Sequence, residues 1–452
     1  MSSKRSSFTG KIGFVLAAAG SAVGLGNIWR FPYLAAHYGG GIFLLVYILL
    51  AITFGFALMI AEIAIGRKTK LSAIGAFRAL DKRFSFVGWI ASIVPLIILP
   101  YYSVIGGWVM KYIGGFVTGG IGDMANDSFF SSYTGKTWEP VIWFFIFVAV
   151  TAVIVFFGVE KGIEKVSKIM MPALVVLILF ICIYTVVTMD GAWQGVVYYI
   201  KPDFSKFSVM TLVAAMGQLF YSMSLAMGIM ITFGSYLKKE VSIEKSVRQI
   251  ELFDTGIAFL AGLMIIPAVF AFSGGDEAAL GQGPGLMFVT LPKIFNTMPG
   301  GAVIGAIFFI MVFFAALTSA ISLMETIVSI LMDKAKIGRH LSCGIVFGIT
   351  LLLGIPSSLG YSAWSGVEII GMQILDFFDF ISNSVIMPIV ALITCIFVGY
   401  FLKPKAVIDE VELNGAFKSK KLFSVMTKYI APVFILLILV SSILNAFGIV
   451  KI

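Results

Sequence analysis

Six charged side chains interrupt long apolar stretches of this sequence. An ionisable group in such a stretch is costly unless it binds an ion, a substrate or another charged group. The six are Arg30, Glu62, Asp254, Glu325, Asp376 and Asp379. A carboxylate such as Asp254 suits a dehydrated hard cation, because sodium, like calcium and magnesium, takes oxygen ligands. The alternative interpretation of Asp254 is a hydrogen bond to a neighbouring helix.

Arg30 and the carboxylates Asp376 and Asp379 have the chemistry of a closing ion pair. The two carboxylates lie one helical turn apart on one face, and an arginine and an aspartate form a charge-assisted pair. An ordinary ion pair that fastens two helices is an equally valid interpretation. Glu62 is interpreted differently, as a snorkelling side chain or a structural hydrogen bond to nearby backbone.

Two apolar segments contain residues that disfavour a continuous helix. Residues 20–27 read Gly-Ser-Ala-Val-Gly-Leu-Gly-Asn, and each glycine weakens a helix interior by about 1 kcal/mol. Residues 221–228 read Tyr-Ser-Met-Ser-Leu-Ala-Met-Gly. Non-helical backbone at membrane depth persists only where it lines a cavity or is buried in protein. Close packing of small residues is the alternative.

A broken helix offers both signs of partial charge. Carbonyl groups freed near residues 20–23 would face a cation, whereas the amides of residues 25–27 would begin a half-helix whose positive end attracts a carboxylate. A zwitterionic amino acid matches both ends of such a break. Thr318 and Ser319 offer two further hydroxyl oxygens for an ion, although adjacent hydroxyls commonly bond back to the i−4 carbonyl.

No catalytic grouping competes with this interpretation. The chain has two histidines and no phosphate-binding loop that ends in lysine. We therefore predict that the protein is not an enzyme.

The elements that position these groups are membrane-spanning helices. The chain has 452 residues, of which 60% are hydrophobic and 12% charged, about half the charged fraction of a soluble protein. A net charge of +9 would suggest nucleic acid in a soluble protein. Here the basic residues lie in short loops, which indicates an anionic membrane surface instead. We therefore predict a lipid bilayer as partner and no nucleic acid.

Apolar runs predict eleven spans. They cover residues 11–37, 41–66, 86–115, 139–158, 163–188, 208–237, 246–272, 300–332, 341–359, 366–402 and 423–449. The mixed stretch 275–299 is predicted to be a structured loop. The excess of Lys and Arg in alternate loops predicts a cytoplasmic N-terminus and an external C-terminus. The two interrupted spans are the first and the sixth, a spacing typical of inverted five-helix repeats with a binding site between them.

The run Gly20–Pro32 closely resembles the first helix of the neurotransmitter:sodium symporter family. Further resemblance lies in residues 39–41, 62–67, 100–102, 218–228 and 315–319. It implies an all-α integral membrane protein with the leucine-transporter fold. Residues 1–188 and 189–402 would form two inverted five-helix repeats, and residues 403–452 a loop and one additional helix. The eleven-span form resembles bacterial tyrosine and hydrophobic amino-acid transporters, which implies a bacterial inner (cell) membrane.

The resemblance also implies two sodium sites. The first would use the Ala22 carbonyl, the substrate carboxylate and the side chains of Asn27, Ser222 and Asp254. The second would use the carbonyls of Gly20, Val23 and Ala315 with the hydroxyls of Thr318 and Ser319. Asp254 stands where the leucine transporter and the animal carriers have Asn. We therefore expect it to replace the negative charge of chloride, so that chloride is not required.

The substrate site implied by the resemblance surrounds an amino acid. Its carboxylate would meet the amides of Leu25 and Gly26 and the hydroxyl of Tyr102. Its ammonium would face carbonyls near Ala22, Tyr221, Ser222 and Ser224. Its side chain would lie among Ser21, Ile98, Tyr221, Met227, Ser319 and Leu323. Met227 stands where the leucine transporter has Phe, and an adaptable methionine would admit large or aromatic side chains.

Two gates are implied as well. The outer gate resembles Arg30 with Asp379, lidded by Tyr221. The inner gate resembles Arg5 with Asp333, supported by Ser235 and Tyr236. The predicted function is sodium-coupled symport of an amino acid, with a hydrophobic or aromatic L-amino acid as the expected cargo. Proton coupling, and a channel or sensor that binds the amino acid without concentrating it, are the alternatives.

Overall fold

The computed structural model describes residues 7–276 and 283–446. Helices dominate this part of the chain, as expected for apolar segments whose backbone groups must be satisfied without water. The sheet found there is an antiparallel hairpin of two strands with two residues each, β1 (Glu368–Ile369) and β2 (Met372–Gln373).

The helices follow one another with short connections. In the first half they are α1 (Lys11–Ala22), α2 (Gly26–His37), α3 (Gly41–Thr69), α4 (Ala73–Leu80), α5 (Lys82–Val117), α6 (Ile121–Met124), α7 (Phe129–Thr134), α8 (Glu139–Phe156), α9 (Val159–Thr188) and α10 (Ala192–Ile200). In the second half they are α11 (Val209–Ser222), α12 (Ile229–Tyr236), α13 (Ile243–Ser273), α14 (Leu291–Thr297), α15 (Gly301–Ala335), α16 (Arg339–Leu359), α17 (Ile374–Phe401), α18 (Pro404–Val411) and α19 (Lys420–Leu444).

Nine of the described helices are long and apolar enough to cross a membrane, and a bent pair makes a tenth candidate. The bent pair is α1 and α2, which meet at 57° where we predicted a break in the first span. The predicted sixth span consists of α11 and α12 with non-helical residues 223–228 between them. Eleven spans are reached when this second broken helix is counted.

The predicted span boundaries differ by a few residues in several places, and two regions differ more clearly from the structure. The tenth span was predicted from residue 366, but α17 begins at Ile374 because the β1–β2 hairpin occupies the preceding residues. The predicted loop 275–299 contains a π-helical turn, Leu286–Thr290, followed by α14. Both are too short to span, so this stretch contains no additional crossing in its described part.

Glycines bring α12 against α3 almost backbone to backbone. A Cβ on Gly66 would lie 1.9 Å from the Ile231 carbonyl oxygen, and one on Gly234 would lie 2.4 Å from the Ile63 carbonyl oxygen. Small residues permit such close approach between membrane helices. This contact holds α12, the second half of the broken sixth span, in place beside the candidate site.

Candidate functional site

The break between α1 and α2 exposes a group of carbonyl oxygens. Val23, the residue after α1, has an extended conformation, with φ −73° and ψ 100°. The last carbonyls of the helix therefore lack helical partners. The Ser319 hydroxyl of α15 lies within hydrogen-bond distance of three of them, with Oγ 3.1 Å from the Ser21, 3.2 Å from the Val23 and 3.3 Å from the Gly20 oxygen. Carbonyls gathered at a helix C-terminus favour a cation.

The second break is held open by a buried carboxylate. Ser224 and Ala226, between α11 and α12, have φ of 52° and 61°, a left-handed conformation that is costly for residues other than glycine. Glu62 of α3 accepts a hydrogen bond from the Ala226 amide at 2.7 Å. Glu62 is only 2% exposed, so the predicted backbone hydrogen bond is confirmed, and snorkelling was the wrong alternative.

The two breaks face each other. The Ser224 hydroxyl donates to the Ser21 carbonyl at 2.8 Å, which joins the second break to the first. Between them lies a narrow cavity with a volume of about 40 Å³. Every residue that we predicted to contact the substrate lines this cavity, together with Gly24, Asn27, Ile229 and Asn383. The structure therefore gathers the predicted set around one space.

One side of the cavity is polar. The Leu25 amide donates to the Tyr102 hydroxyl at 3.2 Å. A Cβ on Gly24 would lie 2.9 Å from both Tyr102 Oη and Ser319 Oγ, so glycine keeps the space between these hydroxyls open. The lining also includes apolar side chains, among them Met227 and Leu323. A ligand with a charged head and an apolar tail matches this lining.

Asp254 brings a negative charge to the site. It is fully buried, and the Asn27 side-chain amide donates to its Oδ1 at 2.8 Å, while the Ser222 hydroxyl donates to its Oδ2 at 2.9 Å. In the described part of the chain no lysine, arginine or histidine forms a salt bridge with it, so its buried charge lacks a cationic partner. Asn27, Ser222 and Asp254, all three side chains predicted for the first sodium site, therefore meet, and their oxygens suit a hard cation.

Tyr47 of α3 completes this cluster and was missed in the sequence. Its hydroxyl lies 2.8 Å from Ser222 Oγ and 3.3 Å from Asp254 Oδ2. Its only signal was a phenol within the apolar run 41–50. Asn383 was missed as well; it donates to Asp379, one turn away on α17, and to Tyr101 of the distant helix α5.

The predicted second sodium set lies at the end of α1. Thr318 donates to the Phe314 carbonyl at 2.9 Å, the i−4 bond considered above, and also lies 3.2 Å from the Ala315 carbonyl oxygen. With the Gly20 and Val23 carbonyls near Ser319, these are oxygen donors only. Within residues 7–276 and 283–446, no three His, Cys, Asp or Glu side chains cluster as a metal site, so this donor chemistry favours an alkali cation over a transition metal.

Tyr221 separates the cavity from a larger outer cavity. It lines both spaces, and the Arg30 guanidinium lies 5.2 Å from its ring centroid. Asp379 instead accepts hydrogen bonds from the Tyr101 hydroxyl at 2.9 Å and from the Asn383 amide at 2.6 Å. Among the described residues, no Arg30–Asp379 ion pair is formed, although both line the outer cavity. The outer gate is therefore not latched in this structure.

The opposite end of the molecule is closed, and we call it the basic end because Lys11, Arg67 and Lys238 lie there. Phe8 is 1% exposed and its ring meets that of Tyr236 at 6.2 Å between centroids. The Tyr236 hydroxyl donates to Glu325 at 2.6 Å, and Glu325 pairs with Arg339 at 2.6 Å. This network gives Glu325 a structural role as the partner of Arg339.

The remaining inner-gate residues lie at the same end. Asp333 accepts a hydrogen bond from the Ser72 amide at 2.7 Å, and the Ser235 hydroxyl donates to the Thr232 carbonyl at 2.5 Å. Arg5, the predicted partner of Asp333, lies outside the described residues. The pairing of Arg5 with Asp333 stays a prediction.

Comparisons with known proteins agree on one family. The profile described as the Sodium:neurotransmitter symporter family matches residues 5–122 and 132–449. An uncharacterized sodium-dependent transporter of Bacillus subtilis (strain 168), YhdH, is 34% identical over 450 residues, which are 98% of this chain and 97% of that protein. An uncharacterized sodium-dependent transporter of Haemophilus influenzae is 33% identical over 97% of this chain and 98% of its own length.

An animal protein and a solved structure are also similar. Sodium- and chloride-dependent creatine transporter 1 of Oryctolagus cuniculus is 26% identical over 84% of this chain and 67% of that protein. The crystal structure of MhsT in complex with L-phenylalanine superposes with a TM-score of 0.88 at 37% identity, covering 97% of this chain and all of that one. The predicted fold is therefore confirmed.

Proposed function

This chain belongs to the sodium:neurotransmitter symporter family, and we propose that it imports a hydrophobic or aromatic L-amino acid together with sodium. The observation that carries the proposal is that the central cavity and the Asp254 cluster have two residues in common. Asn27 and Ser222 bind Asp254 and also line the cavity. A cation held by these oxygens would touch the substrate directly, which makes the binding of each depend on the other.

The cavity orients an amino acid in one way. Its carboxylate meets the Leu25 amide and the Tyr102 hydroxyl, where the positive end of α2 adds favourable potential. Its ammonium faces the carbonyls of the second break near Ser222 and Ser224. This arrangement excludes cargo that lacks either charge, because the corresponding buried partners would remain unsatisfied.

The side-chain part of the cavity favours apolar cargo. Ile98, Met227 and Leu323 line it and are each at most 5% exposed. Methionine is flexible and makes favourable contacts with aromatic rings. That the solved relative MhsT is in complex with L-phenylalanine supports cargo of this kind.

Two sodium ions and no chloride accompany the substrate in this proposal. The first ion occupies the Asp254 cluster with the Ala22 carbonyl, and the second occupies the carbonyls beside Thr318 and Ser319. Asp254 brings a fixed negative charge to the first site, so a mobile anion adds nothing there. Each positive charge that moves inward gains about 2.3 kcal/mol per 100 mV of membrane potential.

Transport follows from alternate exposure of the cavity. The basic end faces the cytoplasm of a bacterial cell in this proposal, and there Phe8 and Tyr236 close the route. In the described part of the chain, Tyr221 is the residue that lines both this cavity and the outer cavity. When both ion sites and the cavity are filled, Arg30 and Asp379 form an ion pair above Tyr221. Residues 1–188 and 189–402 then act as inverted repeats whose relative movement opens the cavity to the basic end.

A thermal-shift screen tests the site. The purified protein is heated with each of the twenty amino acids in sodium and in potassium buffer. We expect hydrophobic or aromatic L-amino acids to raise Tm in sodium only, because ligands that bind the folded state stabilise it. No stabilisation by any amino acid, or equal stabilisation in potassium, would contradict the proposal.

A glycine pair supplies the matched control. Gly24→Ala places a methyl group between the Tyr102 and Ser319 hydroxyls and should abolish the amino-acid shift. Gly256→Ala, in α13, meets nothing within 4 Å and should leave it intact. If both variants keep the shift, the carboxylate does not bind where we place it.

A further inference from the structure

A second, strongly basic cavity opens at the basic end, away from the transport site. It contains about 1180 Å³ of space, including its open mouth, between the start of α1, the first turns of α13 and the segment 411–418. Four cationic side chains line it, namely Lys11, Lys245, Arg248 and Lys418, against one carboxylate, Glu244. The lining therefore carries a net charge of +3 (four minus one).

Three of these cations have no carboxylate partner. Among the described residues, none forms a salt bridge with Lys11, Lys245 or Lys418. Glu244 forms no salt bridge with them in the described part of the chain; its oxygens accept hydrogen bonds from the backbone amides of Lys418 and Ser419 at 3.2 and 3.3 Å. Three unpaired ammonium groups around one hollow repel each other unless an anion enters.

The fourth cation is fixed in place. Arg248 donates to Ser419 Oγ at 3.2 Å and pairs with Glu251 at 3.2 Å, and its guanidinium lies 3.7 Å from the centroid of the Phe56 ring. A guanidinium oriented by several partners is well suited to an oxyanion. Arg248 thus presents a guanidinium in a fixed position in the cavity wall, and the lysines supply positive charge on flexible side chains.

The mouth of the cavity adjoins the apolar surface of the protein. Leu252, one turn along α13 from Arg248, is 73% exposed, and Ile12, next to Lys11, is 69% exposed. Residues this apolar and exposed on spanning helices contact hydrocarbon. An anion in the cavity could therefore be joined to acyl chains that lie against Leu252 and Ile12, an arrangement that a freely dissolved anion cannot use.

We propose that this cavity binds the phosphate headgroup of an anionic lipid. The phosphodiester contacts Lys245, Lys418 and Arg248, and Lys11 brings α1 into the same site. Basic pockets between membrane helices on the cytoplasmic side bind such headgroups. Because the site joins α1, α13 and segment 411–418, occupancy stabilises the closed basic end.

Native mass spectrometry of the full chain tests the proposal. Phosphatidylglycerol is titrated into the delipidated protein, with phosphatidylcholine as the neutral lipid. The double variant Lys245→Gln, Lys418→Gln should bind phosphatidylglycerol about 30-fold more weakly, which corresponds to about 1 kcal/mol for each charge removed. Lys245→Gln alone serves if the double variant does not purify.

The control removes two charges elsewhere. Lys161 and Lys165, exposed at the start of α9, are changed to Gln together and should leave the affinity unchanged. Equal weakening in both double variants would reduce the effect to general surface charge and overturn the proposal. Displacement of the lipid by millimolar inorganic phosphate would indicate a site for free anions, and preference for neither lipid would also overturn it.

Discussion

At the scale of single residues, the proposed sodium site and its proposed independence from chloride both depend on Asp254. Its carboxylate is buried among the neutral donors Asn27, Ser222 and Tyr47. Hydrogen bonds lower the cost of burying a charge, but only a counter-charge removes most of it. A sodium ion beside this carboxylate would supply the counter-charge, which is the physical basis of the proposed site.

Asp254→Asn should weaken sodium activation of transport about 10- to 100-fold, the equivalent of the 1.5–3 kcal/mol for an interaction with a charged group. The measurement is the sodium concentration that gives half-maximal uptake. Asp123→Asn, at an exposed position in the short helix α6, is the matched control. Replacing chloride by gluconate should leave wild-type uptake unchanged, and a loss of uptake without chloride would refute the role given to Asp254.

At the scale of elements, Glu62 shows how one helix stabilises the irregular backbone of another. It satisfies the Ala226 amide inside the second break, where water is not available to do so. The strained φ angles of Ser224 and Ala226 persist because this hydrogen bond and the α3–α12 contact fix the surrounding backbone. The break is thus a property of two packed helices and not of α11 and α12 alone.

Glu62→Ala should lower Tm and abolish amino-acid binding, since an orphaned buried amide costs about 1–3 kcal/mol. Glu62→Gln keeps an acceptor oxygen and should retain most of the stability. Thermal melting in sodium measures both. Glu368→Ala, at an exposed hairpin position, controls for the loss of a carboxylate. Equal Tm values for Glu62→Ala and wild type would exclude the proposed capping role.

The sequence pattern predicted the membrane spans well, but it predicted the backbone of the two helix breaks only in part. Glycines in residues 20–27 indicated the first break correctly, because glycine affects the backbone locally. The left-handed angles at Ser224 and Ala226 had no local signal, since distant Glu62 imposes them. Tyr47 was missed because Ser222 and Asp254 are brought near it only by the packing of helices far apart in sequence, and the contact of Asn383 with Tyr101 arises in the same way.

At the scale of the whole molecule, closure is unequal at the two ends. Phe8 and Tyr236 pack the basic end shut, whereas the outer cavity reaches Tyr221 with Arg30 and Asp379 still apart. In this structure Tyr221 thus lies between the site and the outer cavity, while the basic end is packed shut. Stability of this state depends on the aromatic contacts at the basic end.

Phe8→Ala should shift the population toward opening at the basic end, because truncating a buried phenylalanine removes several kcal/mol of packing. A cysteine placed at Ser235, which is buried at that end, should then react faster with a charged thiol reagent. Phe207→Ala, a half-exposed phenylalanine, should leave the rate unchanged. Unaltered labelling in Phe8→Ala would contradict the role of Phe8 in closure.

Accumulation of substrate in proteoliposomes tests the central claim most directly. The amino acid that best stabilises the protein is supplied outside, with an inward sodium gradient and an uncoupler that removes any proton gradient. We predict an internal concentration above the external one, lost when a sodium ionophore collapses the gradient. Uptake that never exceeds equilibrium, or that a proton gradient alone sustains, would contradict sodium-coupled symport.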